Sequence, residues 1–218
     1  MRFFSGFLFF MLLGCGLARA DDDTAPKVDS HGIKVWTFNL PNYPLRGFRA
    51  ITTVKSTLGG LVSLIQDTDH VQDWVYHVNK IDLIKRDDSQ QTFLIHAEVG
   101  FWPLKDRDAY IQGRVTQDPK TLVVSIDSAN VPAGVYPEEK GFVRMPDMMG
   151  HWELKPLGQG MVQVTMGGRA DPGGDIPKFL VNLLIQENPY NTLLGMKKIV
   201  AQDKYQKAVL KQIREPAQ

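Results

Sequence analysis

From residue 80 to residue 170 the chain reads as one strand after another. "KIDLIKR", "QTFLIHAEVGFW", "AYIQGRVTQ", "KTLVVSIDSA", "GFVRMP", "GHWELKPL" and "MVQVTMGGRA" have strand composition and a period near two. Turn chemistry separates them in "RDDSQ", "PLKDRD", "DPK", "NVPAGVYPEEK" and "LGQG". Strands that are neighbours in sequence and joined by short turns pair antiparallel. Two more, "GIKVWTF" (32–38) and "FRAITTVKS" (48–56), come earlier, around the turn-rich "NLPNYPLRG". A sheet of about nine strands has to curl.

The period changes twice. In "TLGGLVSLIQDTDHVQDWVYHV", Leu61, Leu64 and Ile65, then Val71, Trp74, Val75 and Val78, recur at three and four. This predicts two short helices, with Asp69 capping the second. After "DPGGD", Ile176, Leu180, Leu183, Leu184 and Glu187 follow helical spacing, with Asp175 as N-cap and Pro177 in the first turn. Pro189 is expected to kink or break this helix. The pattern resumes at Leu193, Leu194, Met196, Val200 and Leu210. The fold class is therefore α+β. A curled antiparallel sheet of about nine strands wraps one long C-terminal helix, with two short helices and space left between helix and sheet.

The N-terminus is a separate matter. Arg2, an apolar run from Phe3 to about Leu17, and the small residues Ala18 and Ala20 form a secretory signal peptide, residues 1–20, cleaved after Ala20. The rival reading takes "LLGC" as a lipoprotein signal, with Cys15 carrying the lipid. Residues 21–30 form a flexible, acidic lead, and residues 31–214 are the domain. Removing residues 1–20 leaves 23 cations against 24 anions and no cysteine. Disulfides, thiol catalysis and cysteine-held zinc are then excluded, and the charge excludes a nucleic-acid-binding field. The expected location is periplasmic or secreted, and a monomer is expected.

Five pieces occur in one order: "WPLKDRDAY" (102–110), "VR" (143–144), "HWELKPLGQGMVQVTM" (151–166), "DPGGDIPKFLVN" (171–182) and "PYNTLLGMKK" (189–198). Together with "GIKVW", "FRA" and "VQDWVYHVNKIDLIK" they resemble the START domain, the steroidogenic acute regulatory protein-related lipid transfer domain. The resemblance covers roughly residues 31–212. It implies the helix-grip fold, with one sterol, phospholipid or similar lipid in a tunnel between the sheet and the C-terminal helix.

The resemblance, joined to strand alternation, implies a lining. Val71 and Val75 stand on the second short helix. His96 and Glu98 share a strand face with Trp102, a candidate for the tunnel mouth. Val123 and Ser125 share a face with Asp127. Arg144 matches the family's "VR" arginine, Met166 a tunnel-facing position, and Phe179 and Leu183 lie on the grip helix. Sheltering an apolar body of roughly 400 Å² is worth about 10 kcal/mol. A large cavity should hold lipid, hold water, or partly collapse.

No nucleophile elbow, nucleotide loop or metal-ligand cluster is visible, and the histidines at 31, 70, 77, 96 and 151 are scattered. No cofactor or metal is called for. A non-enzymatic lipid-binding or transfer protein is the first reading, with a hydrophobic small molecule as partner and transient membrane contact. A helix-grip enzyme of the polyketide cyclase or aromatase kind, with His96 and Glu98 as acid and base, is the second. A lipid-sensing adaptor is the third.

Overall fold

The computed structural model describes residues 25–100 and 103–217. The expected signal segment with Cys15, and Trp102, lie outside the described residues. The chain runs β1 (Val28–Ser30), β2 (Ile33–Asn39), β3 (Arg46–Lys55), α1 (Leu58–Ile65) and a 3-10 turn (Thr68–Asp73). It continues as β4 (Val78–Asp87), β5 (Thr92–Val99), β6 (Arg107–Gln117), β7 (Val124–Asn130), β8 (Val143–Arg144), β9 (Asp147–Gly158) and β10 (Met161–Asp171). It ends with α2 (Lys178–Ile199) and α3 (Asp203–Gln206).

All ten strands join one sheet, ordered β1-β2-β3-β10-β9-β7-β6-β5-β4, with β8 parallel to the start of β6. The other pairs are antiparallel, as the short turns predict. β3 pairs with β10, so the first strands extend the last hairpin, and α1 and the 3-10 turn carry the chain to the far edge. The sheet does not close: β1 and β4 are its two edges.

Several boundaries differ from expectation for local reasons. The expected lead, residues 21–30, contains β1, because His31 and Gly32 both take positive φ and turn the chain into a hairpin with β2. The second short helix is only the 3-10 turn. Asp69 does not cap it, and its N-cap residue, Asp67, makes no capping bond. α2 begins three residues after Asp175, with Pro177 as N-cap residue, and runs through Pro189 without a break. Packing holds it there: Pro189 is buried, and Leu193 and Met196 are fully buried one and two turns later, each worth about 2 kcal/mol. The long helix ends at Ile199, short of Leu210.

One core joins α1, α2 and the sheet. Gly195 lets α2 touch the 3-10 turn, since a Cβ there would stand 2.5 Å from the Trp74 carbonyl oxygen. Thr57 caps α1 by accepting the Gly60 N–H at 2.9 Å. The C-terminal tail completes the cap: the Glu215 carboxylate accepts the N–H groups of Leu58 (3.0 Å) and Gly59 (2.7 Å). A carboxylate there satisfies two orphan donors and meets the positive end of the helix.

Tyr205 donates its hydroxyl to Asp67 at 2.8 Å, and Lys204 and His70 bond the same carboxylate. Burial pushes this carboxyl up, but the bonds from Lys204, His70 and Tyr205 outweigh burial and hold its pKa down to about 2, from an ordinary 3.8.

Two outcomes are expected. Glu215→Gln should lower unfolding stability by about 1 kcal/mol in urea titration; an unchanged midpoint would remove the tail from the cap. A depressed carboxylate pKa stabilises fully above the unfolded value, and that contribution is lost as pH falls through the folded one. Melting temperature should therefore fall between about pH 4 and pH 2, and less steeply in Asp67→Asn. Identical acid slopes would contradict the assignment.

Candidate functional site

Strand alternation divides the sheet into an inner face, covered by the helices, and an outer face. On β5, Phe93, Ile95 and Ala97 face inward, opposite Gly113, Ile111 and Ala109 of β6. On β7, Val124 and Ile126 join the core with Leu154 of β9. The inner face carries two separate apolar clusters. The larger packs on α1 and α2. The smaller, around Ala97, Ala109, Ile111 and Met145, lies toward the start of β6.

A cavity of about 70 Å³ touches both groups, walled by Val71, Phe93, Ile95, Val115 and Ile126, bordered by Ile65 of α1, and rimmed by the polar Gln66, Arg86, Asp87, Asp88 and Gln91. Phe93 shapes it. Gly113 leaves room for the ring, which would stand 2.3 Å from a Cβ at that position. Deeper in the core, the Trp74 and Trp152 rings meet edge to face at 6.1 Å, and the Trp74 indole N–H is buried without a hydrogen-bond partner. Among the described residues, this inner cavity is smaller than the lipid-sized space expected.

A larger concavity of about 680 Å³ lies on the outer side, bordered by Lys85, Asp87, Arg114, Asp127 and the loop around Tyr136. It is charged and open, so it shelters a lipid poorly despite its size. The inner cavity sets an apolar wall against a polar rim, on the helix-covered side.

At the start of β6, Arg107 is 3% exposed and donates to the carbonyls of Lys105, Pro172 (3.2 Å) and Gly173 (3.3 Å). It ties the loop before β6 to the lead of α2. The next residue points the other way. Asp108, fully buried on the outer face, accepts from Arg144 Nε at 3.0 Å and Nη2 at 2.8 Å, and lies 3.0 Å from His96 Nε2. The His96 ring stacks on Tyr110 at 4.5 Å, and Tyr110 on Tyr136 at 4.1 Å. Asp108 holds the Arg144 guanidinium above its ordinary pKa, so this arginine stays charged.

The residues implied for the lining divide accordingly. Val71 walls the cavity, and Val75 and Met166 pack against the inner core. His96 and Glu98 face outward, because Phe93, Ile95 and Ala97 take the inward positions of β5. Ser125, and Val123 by the same alternation, also turn away: "VVSID" offers a valine in either register, and Val124 with Ile126 is the buried choice. Arg144 is an ion-pair partner of Asp108 on the outer side. Phe179 and Leu183 are 74% and 48% exposed, while Val181 and Ile185 turn inward. Trp102 lies outside the described residues. Phe93, Ile95, Val115 and Ile126 are the wall residues missed. Their signal was the apolar alternation of "TFLIHA", read one residue out of step.

Known proteins share this architecture. The START domain family matches residues 28–205. An uncharacterized protein of Pseudomonas aeruginosa is 29% identical over 182 residues, spanning 84% of this chain and 88% of that one. The STAR-related lipid transfer protein of Xanthomonas axonopodis (fragment 25–204) has a TM-score of 0.74 at 28% identity, covering 82% of this chain and 98% of that one. Human StAR-related lipid transfer protein 5 has a TM-score of 0.70 at 16% identity, over 83% and 88% of the two chains; at that identity the likeness is one of fold. With the family match spanning most of the chain and the sheet-and-helix architecture agreeing with it, this protein belongs to the START domain family.

Proposed function

We propose that the protein binds one lipid, a sterol, phospholipid or similar hydrophobic molecule, between α2 and the inner face, and carries it through the cell envelope as a periplasmic or secreted monomer. Membership of the START family supports a hydrophobic ligand. The observation that carries the reading is a cavity between two unmerged apolar clusters on the helix-covered face, with an apolar wall and a polar rim. The reading is non-enzymatic. His96 and Glu98, the pair an acid–base mechanism would use, stand on the opposite side of the sheet from that cavity. Leu104, Phe179 and Leu183 are exposed apolar side chains that favour brief contact with a membrane.

Native mass spectrometry of protein purified from its own host should find one lipid per chain, and the protein should move that lipid between vesicles. Val71→Trp should fill the cavity and cut transfer at least tenfold, while overpacking costs about 1–3 kcal/mol of stability. Full transfer by the folded variant would rule out this cavity. Phe93→Ala should cost about 3–5 kcal/mol without ligand, yet gain a larger rise in melting temperature on adding lipid than the parent does. An equal rise in both proteins would mean that the ligand does not lie against Phe93.

A further inference from the structure

The outer face holds a second constellation that lipid binding does not use. The β4–β5 register sets Asp82 directly opposite His96, and Glu98 lies two residues along on the same face of β5. A ring nitrogen of His96 and one carboxylate oxygen each from Asp82 and Glu98 lie within 4.8 Å of one another. No other such group of three forms among the described residues. Three atoms so spaced surround a point about 2.8 Å or less from each, so small side-chain rotations bring them to the roughly 2.0–2.2 Å of nitrogen and carboxylate ligands on zinc. Register shifts flank this part of β4, between Val78 and Lys80 and between Leu83 and Lys85. Such bulges re-aim side chains.

The histidine is prepared for a cation. It is 7% exposed, and its Nε2 is 3.0 Å from Asp108, which Arg144 holds in place. A carboxylate acceptor makes Nε2 the protonated nitrogen and leaves Nδ1, which has no hydrogen-bond partner among the described residues, with its lone pair. A carboxylate behind the imidazole fixes the tautomer and the ring orientation. Lys80, 2.8 Å from Asp82, now balances one of the two carboxylates. It is an exposed, flexible side chain that a divalent ion can displace.

We propose that Asp82, His96 and Glu98 bind a borderline divalent transition cation such as zinc, with Asp108 as the positioning carboxylate behind His96. One imidazole and two carboxylates balance a double positive charge, and the imidazole disfavours magnesium and calcium. Three protein ligands leave a position for water. Bound there, the ion clasps the edge strand β4 to β5.

The test is calorimetric titration of zinc ion alone into chelator-stripped protein. One ion per chain should bind with micromolar or tighter affinity. Asp82→Asn and Glu98→Gln, both at partly exposed positions, should each weaken binding about tenfold or more. Lys80→Met should tighten binding, because a competing cation is gone. His151→Gln, which removes the outer-face histidine 2.7 Å from Asp127, should change nothing. Substituted cobalt(II) should give visible absorption that Glu98→Gln abolishes. Absence of saturable binding below millimolar zinc, unchanged affinity in the Asp82→Asn/Glu98→Gln double variant, or loss of binding in His151→Gln would each overturn the proposal.

Discussion

Asp108 has no exposed surface, and three elements meet on its carboxylate. Arg144 brings β8, His96 brings β5, and the residue itself belongs to β6. Stripping a partner from a buried charge of this kind costs about 3–5 kcal/mol. The consequences spread from there. Arg144 also donates to the Pro137 carbonyl at 2.8 Å, and Tyr136 stacks on Tyr110. The long connection between β7 and β9 is thereby laid against the outer face. Met145, next to Arg144, is turned inward to the smaller apolar cluster. Arg107, next to Asp108, is turned to the lead of α2. Adjacent residues on a strand face opposite ways, so one Arg-Asp pair fastens both sides of the sheet.

Much of this was legible beforehand where two signals agreed. The β9–β10 hairpin needed alternation and the "LGQG" turn, and both were present. The order of elements along the chain needed only the switch of period. The site was less legible because each ambiguous stretch admitted two answers. In "VVSID" either parity carries a valine, and only the neighbours of β7 in the sheet choose between them. In "KFLVNLLI" apolar residues surround the helix, so spacing cannot say whether Leu183 or Val181 faces the core. Pro189 was expected to interrupt α2. Tertiary burial of Leu193 and Met196 outweighs the local penalty. Asp82 was not singled out at all, because its nearness to His96 is a property of strand register, not of spacing.

The small size of the inner cavity follows from energetics. At about 24 cal/mol per Å³, a dry space of roughly 400 Å³ would cost about 10 kcal/mol. That is comparable with the whole stability of a domain, about 5–15 kcal/mol. A space of that size would be filled by ligand or by water, whereas about 70 Å³ is tolerable dry. The packing on α2 is uneven along its length. The second half of α2 is held by Leu193 and Met196, by the Gly195 contact on Trp74, and by the Tyr76 N–H donated to Thr192 at 3.2 Å. The first half buries Val181 and Ile185 but exposes Phe179 and Leu183. The two halves of α2 are thus held unequally, and the lead of the first is fastened by Arg107 through backbone carbonyls.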